Sequence, residues 1–171
     1  METEIKFEHV GIADILARYT LNLPLNQREY SWEDEHVQDL LQDIANSIRD
    51  RREAYFLGTI VLTISKTGAL EVADGQQRLA TTTMILAAIR DFYLEANDDT
   101  RASAIEAKFL FETDMDSAER RPKLTLNSDD NVFFQTKVLA RPAQRGEINP
   151  SRRSHKLIQK AFIQIKKFLS Q

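Results

Sequence analysis

The sequence predicts an α+β fold, and three observations carry that prediction. Apolar residues recur at helical spacing in several segments, a run of β-branched residues reads as a hairpin, and that hairpin feeds through a glycine into the longest helical pattern of the chain. With 171 residues, 42% of them hydrophobic, the chain is long enough for one domain with a substantial buried core.

Taken in order, Gly11 to Tyr19 places Ile12, Ile15, Leu16 and Tyr19 on one face of a short helix. The stretch TLNLPLNQREYSW then reads as extended, because Pro24 disfavours helix at the residue before it. Ser31 is the expected N-cap of the next helix. Glu33, Asp34 and Glu35 suit the positive end of its dipole, and Val37, Leu40, Leu41, Ile44 and Ile48 follow at helical spacing. Two strands, YFLGTIVLTIS (Tyr55 to Ser65) and ALEVAD (Ala69 to Asp74), face each other across a Lys66-Thr67-Gly68 turn and form a β-hairpin. A helix begins just after Gly75 and carries Leu79, Thr82, Leu86, Ile89 and Tyr93 on one face. Further on, KLTLN reads as a short strand, Asp129 to Arg141 as a helix, and Ser154 to Ser170 as a helix that aligns Leu157, Ala161, Ile165 and Phe168.

Weak breaks fall at EANDDT and ARPAQRGEINPS, and no repeat or Gly/Ser linker separates the segments. Residues 1–119 are expected to form the core of the unit and residues 120–171 its mainly helical continuation. The last helix stays amphipathic to the final residue, which raises the expectation of a further domain beyond it.

Charge is distributed unevenly. Residues 120–171 hold 12 Lys and Arg against 3 Asp and Glu, a balance of +9, whereas residues 1–119 hold 11 against 23, a balance of −12. Such a split suits either a surface facing a polyanion, with Arg152 and Arg153 as candidate DNA contacts, or charge matching between two parts of one fold. Cysteine is absent and no apolar run follows a basic N-terminus, so neither a disulfide framework nor a secretory signal is expected and the compartment is read as cytoplasmic. The longest apolar run, Met84 to Ile89, is far short of the roughly 20 residues a bilayer requires. There is no G-x-x-x-x-G-K-[ST] pattern, and His9, His36 and His155 lack metal-ligand spacing.

The stretch VADGQQRLATTTM concentrates polar groups where a strand turns into a helix. Unpaired backbone N–H groups and the positive end of a helix dipole coincide there, which makes the turn an anion site suited to phosphate. Gly75 lets the backbone approach closely, Arg78 offers a forked donor, and Thr81 and Thr82 add hydroxyls. Asp74 can hold a divalent cation or accept a proton from water, while Gln76 and Gln77 can orient a water or read a base edge. In the alternative reading, Asp74 only caps the helix, Gly75 only serves the turn and Arg78 pairs with a carboxylate. A second cluster, NQREYSW, repeats the Gln-Arg pair. Gln27-Arg28 and Gln77-Arg78 would make sense together on one triphosphate, whose charge takes more than one arginine to neutralise. Tyr30 and Trp32 are read first as packing residues and second as aromatics that stack on a base.

These motifs are recognisable in combination. LPLNQREYSWEDEHVQDLLQDI, YFLGTIVL and VADGQQRLATTTMILAAI, in that order, resemble the N-terminal domain of the domain-of-unknown-function 262 family, the GmrSD-type family of modification-dependent restriction proteins. RPKLTLNSDDNVFF and the last helix resemble its downstream pattern, and Asn26 stands where the family often has an aromatic residue. The resemblance implies a ParB/sulfiredoxin-like α+β core with a small mixed sheet, a β-hairpin and flanking helices. It implies that the DGQQR turn binds and hydrolyses a nucleoside triphosphate, with Asp74, Gln76, Gln77 and Arg78 as catalytic residues and Gln27 and Arg28 joining them on the nucleotide; the turn itself adds Gly75, Thr81 and Thr82 to the expected nucleotide contacts. A divalent cation, magnesium, would accompany the substrate at Asp74.

The resemblance also implies a defence role against phage DNA with modified bases or backbone, and an HNH-type nuclease in a separate C-terminal domain. Expected partners are thus the nucleotide, modified DNA, that nuclease domain and a further copy of the chain. The rival reading is a non-hydrolysing sensor that grips modified DNA through the basic region and Tyr30 or Trp32 and regulates a separate nuclease.

Overall fold

The computed structural model of the protein describes residues 7–53 and 55–171. It is an α+β fold with a helical C-terminal part, as the sequence predicts. In chain order the elements are α1 (Ile12–Arg18), β1 (Leu21–Asn22), α2 (Asp34–Arg49), β2 (Val61–Ile64), β3 (Leu70–Asp74), α3 (Gln76–Glu95), α4 (Asp99–Ile105), β4 (Phe111–Thr113), β5 (Arg120–Pro122), β6 (Leu124–Thr125), α5 (Ser128–Phe134) and α6 (Arg153–Leu169). A π-helical turn continues α4 over Glu106–Leu110 and another continues α5 over Gln135–Leu139.

Four strands form a mixed sheet in the order β2-β3-β1-β6. β1 runs parallel to both β3 and β6, with Leu21 paired to Leu70 on one side and to Leu124 on the other. β2 is antiparallel to β3 and sits at the sheet edge, with a register shift between Val61 and Leu62. β4 and β5 make a separate antiparallel pair.

The hairpin around Lys66-Thr67-Gly68 forms where expected, with Gly68 at φ +84° in the turn, but its first strand is shorter than the β-branched run suggests. Residues 55–60 are irregular, and the ladder starts only at Val61. Gly58 at φ +110° bends the segment away from strand geometry. The helix expected from Asp129 to Arg141 also divides into α5 and its π-helical turn.

The second helix begins at Asp34 rather than after Ser31. Glu33 is its N-cap and forms a reciprocal capping box with His36, whose Nδ1 accepts from the Glu33 amide at 3.2 Å. The Ser31 hydroxyl accepts instead from the Arg28 guanidinium at 2.6 Å.

The one-faced pattern predicted for α3 understates its burial. Leu79, Ala80, Thr81, Thr83, Met84, Ala87, Ala88, Arg90 and Asp91 are all buried, so the helix is enclosed on nearly every side, as expected of a central helix. α4 and α6 pack directly on it, and α2 packs on α6. The small Ala and Thr side chains let these neighbours come close. α2 contributes Val37, Leu40 and Leu41 to the core, and α6 contributes Leu157, Ile158, Ala161, Phe162 and Ile165.

One feature of the core has no counterpart in the sequence reading. Arg90 is completely buried and its guanidinium donates to Asp91 at 2.8 Å, Glu106 at 2.7 Å, and the carbonyls of Val138, Leu139 and Ala140 at 3.1, 2.9 and 3.1 Å. Those carbonyls lie at the C-terminal end of the second π-helical turn, where no further turn supplies N–H donors, so a side chain from α3 caps it. Arg141 reinforces Glu106 at 2.9 Å, and Arg145 reinforces Asp91 at 2.6 Å. Burial alone would raise the Glu106 pKa, but the hydrogen bonds from Arg141 and Arg90 outweigh it and hold the carboxyl below its ordinary range.

The charge split takes the second of its two forms wherever the basic residues make ion pairs. Arg152 bridges Glu29 and Asp129, each at 3.1 Å, Arg153 pairs with Glu33, Lys160 with Asp34 at 3.8 Å, and Lys166 with Glu95 at 3.0 Å. Arg152 and Arg153, expected at a DNA surface, therefore bind the loop that leads into α2 and the start of that helix to the start of α6. Among the described residues no helix is long and apolar enough to cross a membrane.

Candidate functional site

The strand-turn-helix forms as the DGQQR stretch predicts. β3 ends at Asp74, Gly75 takes the left-handed conformation at φ +90°, and α3 starts at Gln76. Only glycine fits at that point. A Cβ on residue 75 would lie 2.9 Å from Ile60 Cγ1 and 3.2 Å from the Thr59 carbonyl oxygen, on top of the unfavourable φ. Gly75 has no side chain to cap the helix, and the first intrahelical bond runs from the Leu79 amide to the Gly75 carbonyl at 3.1 Å. Among the described residues no side chain caps the first-turn amides, and the positive end of a 20-residue helix lies at this point.

An open cleft of about 150 Å³ lies over this turn, lined by Arg28, Trp32, Asp74, Gly75, Gln76, Gln77 and Arg78. The two Gln-Arg clusters thus meet in space, and both arginines border the same cavity. Among the described residues neither arginine makes an ion pair. Arg28 donates to the Ser31 hydroxyl. Arg78 donates to the Thr59 carbonyl at 3.1 Å and lies across Gly58, where a Cβ would come within 2.8 Å of its guanidinium carbon. Asp74 is an exposed carboxylate on the rim.

The two glutamines of the turn separate in role. Gln77 is only 9% exposed and both ends of its amide are engaged, Oε1 accepting from the Ser31 amide at 2.9 Å and Nε2 donating to the Glu29 carbonyl at 3.1 Å. An amide committed in this way holds the Arg28 loop in place. Gln76 is half-buried and lines the cleft, and its Oε1 accepts from Gln27. Gln27 also donates to the Ala73 carbonyl at 3.1 Å and stands outside the cleft lining, in contact with Gln76.

Three further expectations are corrected by burial. Thr81 is fully buried, and its hydroxyl donates to the Gln77 carbonyl at 2.8 Å and shares a hydrogen bond with the Tyr30 hydroxyl at 2.9 Å. Thr82 is 8% exposed, with its hydroxyl oxygen enclosed away from the cleft. Tyr30 is 4% exposed, which removes it as a stacking aromatic; burial pushes its hydroxyl pKa up, with the Thr81 hydrogen bond opposing the rise only in part. All three lie on the core side because α3 is enclosed, a condition that a one-faced helical pattern does not reveal. Trp32 does border the cleft and stacks on the His36 ring, with centroids 5.9 Å apart and planes 16° from parallel.

Two residues absent from the sequence reading of the site also fix the Arg28 loop. Asp130 Oδ2 accepts from the Tyr30 amide at 2.8 Å, and Asn127 Nδ2 donates to the Gln27 carbonyl at 3.2 Å. Asn127 in turn caps α5 by accepting from the Asp130 amide at 2.9 Å. The polar run LNSDDN was the available signal, since Asn before a helix and Asp in its first turn are helix-start residues.

No curated protein matches the chain. The family model described as "GmrSD restriction endonuclease, N-terminal domain" matches residues 12–170, which spans every described element from α1 to α6. The chain therefore belongs to the family of GmrSD restriction endonuclease N-terminal domains, and its setting is DNA restriction.

Proposed function

We propose that the cleft binds and hydrolyses a nucleoside triphosphate, and that this turnover governs restriction of modified DNA by a nuclease domain or partner nuclease. The observation that carries the reading is the convergence of Arg28 and Arg78, from two distant segments, on the uncapped first turn of α3. Two guanidinium groups without ion-pair partners among the described residues, beside the uncapped first turn of α3, suit the charge of a phosphate chain.

Hydrolysis joins a water oxygen to the γ-phosphorus and breaks the bond to the β–γ bridging oxygen. The electron pair leaves with the nucleoside diphosphate, and the water's proton ends on the released phosphate. In this scheme Arg28 and Arg78 neutralise charge on the phosphate oxygens, the α3 amides hold them in line, and Gln76, steadied by Gln27, orients the water. Gln77 acts one step back, through the loop that carries Arg28. One exposed carboxylate and no cluster of three ligating side chains among the described residues suits a cation that arrives on the phosphates, since magnesium commonly takes only one or two protein carboxylates. Asp74 would hold it, and the ion would supply further neutralisation of phosphate charge.

The test is phosphate release by the purified chain with each of the four nucleoside triphosphates, with and without modified DNA. Asp74→Asn and Arg78→Ala are each expected to lower release by about a hundredfold or more, the scale of losing one charge-stabilising group. A folded chain that binds modified DNA but no nucleotide would overturn this reading in favour of a non-hydrolysing sensor.

A further inference from the structure

The loop that carries Arg28 is acidic. From Gln27 to Glu35 it holds Glu29, Glu33, Asp34 and Glu35 against the single basic residue Arg28. Two more carboxylates come from the start of α5, where Asp130 accepts from the Tyr30 amide at 2.8 Å and Asp129 shares a cation with Glu29. Left uncompensated, such surroundings repel an anion and offer Arg28 carboxylate partners of its own. Yet among the described residues Arg28 makes no ion pair, and its guanidinium bonds the Ser31 hydroxyl.

The start of α6 supplies the compensation. Arg152 reaches Glu29 Oε1 with one terminal nitrogen and Asp129 Oδ1 with the other, each at 3.1 Å. Arg153 pairs with Glu33, and Lys160 with Asp34 at 3.8 Å. Glu29 is the chain neighbour of Arg28, and its carbonyl is already pinned to α3 by Gln77 Nε2 at 3.1 Å. Arg152 thus holds the side chain of a residue whose main chain is fixed from the opposite direction. Ion pairs as exposed as these add little to stability. The charges they cancel, however, adjoin a residue that lines the cleft, where charge decides what binds.

We infer that Arg152 is a positioning residue for the anion cleft: by occupying Glu29 and Asp129 it cancels two negative charges around the Arg28 loop and leaves the Arg28 guanidinium free for a phosphate. This rests on the phosphate reading of the cleft. Arg152 does not line the cleft, so its effect passes through the two carboxylates and the loop. The basic start of α6 then serves a segment that its own sequence makes acidic.

The experiment titrates folded protein with inorganic tripolyphosphate by calorimetry at two salt concentrations. The proteins are the wild type, Arg152→Gln, Arg152→Lys, the pair Glu29→Gln with Asp129→Asn, and the triple variant that joins Arg152→Gln to that pair; circular dichroism checks each fold. Arg152→Gln is expected to weaken binding by about fivefold, within the range of coupled neighbours, and by less at the higher salt, where exposed charges are screened. Arg152→Lys keeps the charge and should recover most of the affinity. The triple variant should return to wild-type affinity or better, because the carboxylates that Arg152 answers are gone; loss of a scaffold contact would give no such rescue. Should Arg152→Gln lose its fold, the Glu29→Gln, Asp129→Asn pair decides, since it should bind tripolyphosphate more tightly than wild type, and equal or weaker binding overturns the inference. Unchanged affinity in folded Arg152→Gln also overturns it and leaves the phosphate site standing. A loss that the triple variant does not restore overturns it as well, and assigns Arg152 to the scaffold or to the ligand itself. Wild-type protein that binds no tripolyphosphate overturns the phosphate reading of the cleft together with this inference.

Discussion

Replacing Gln77 by leucine removes an amide that pins the Arg28 loop to the start of α3 while keeping an apolar side chain of similar size. Two hydrogen bonds disappear, from the Ser31 amide at 2.9 Å and to the Glu29 carbonyl at 3.1 Å. Each has a net worth of about 1 kcal/mol, and a donor left buried without a partner costs about 1–3 kcal/mol more. Since Gln77 is 9% exposed, water reaches the stranded groups poorly, and a total loss of about 2–4 kcal/mol follows. For a chain of this size each kcal/mol lowers Tm by roughly 2–4 °C, so melting should fall by roughly 5–15 °C. Urea titration gives the free energy independently through the midpoint at unchanged slope. Tripolyphosphate affinity, measured at a temperature where the variant is fully folded, should drop only moderately, because the loosened loop carries Arg28 but not Arg78. Unchanged stability together with a tenfold or greater loss of anion affinity would refute the argument, since it would show the amide acting on a ligand instead of on the loop.

Arg78→Ala should show the opposite pattern, with anion affinity weakened by about tenfold or more and stability changed by less than about 1 kcal/mol, because its one side-chain hydrogen bond among the described residues is to the Thr59 carbonyl of an exposed segment. Calorimetric titration and a thermal melt of the same sample check both halves. Arg90→Met strands the carbonyls of residues 138–140 and part of the Asp91 and Glu106 charge, so a loss of about 3–5 kcal/mol is expected in urea unfolding. Glu106 has its folded pKa held below the ordinary value, so its contribution is complete above the unfolded value of about 4.3 and disappears as pH falls through the lower folded value. Unfolding measured from pH 6 down to pH 3 should show that acid limb in the wild type and a weakened one in Arg141→Met. Charge reversal at Arg152 and Arg153 together should lower stability by about 1 kcal/mol or somewhat more through the lost pairs to Glu29, Asp129 and Glu33, and leave any DNA affinity of the chain unchanged in a salt-dependent binding titration.

The local features of the site were legible because they depend on residues close in the chain. Gly75 between β3 and α3, the apolar spacing of Val37, Leu40 and Leu41, and the Lys66-Thr67-Gly68 turn each follow from backbone preference or periodicity over a few residues. β4 and β5 were not legible, because strands of three residues with charged side chains such as Glu112, Arg120 and Arg121 give neither an alternating nor a β-branched signal. Ser31 looked like an N-cap because serine is a good one, yet its hydroxyl serves Arg28, and Glu33 with His36 supplies the cap.

By itself, then, the sequence determined the α+β class, the strand-turn-helix at Gly75, the two Gln-Arg clusters and the imbalance of charge along the chain. All of these are set by neighbours in the chain, whose spacing the backbone fixes. The tertiary structure decided which polar groups remain free. It turned Thr81, Thr82 and Tyr30 into the core, engaged Gln77 with the backbone of residues 29 and 31, paired Arg152 and Arg153 with carboxylates, and left Arg28, Arg78, Asp74, Gln76 and Trp32 around one cleft. The physical reason is that burial and hydrogen-bond partnership belong to pairs of surfaces. α3 is enclosed only once α4 and α6 have packed on it, and an arginine is free or paired according to which carboxylates the finished fold brings within reach.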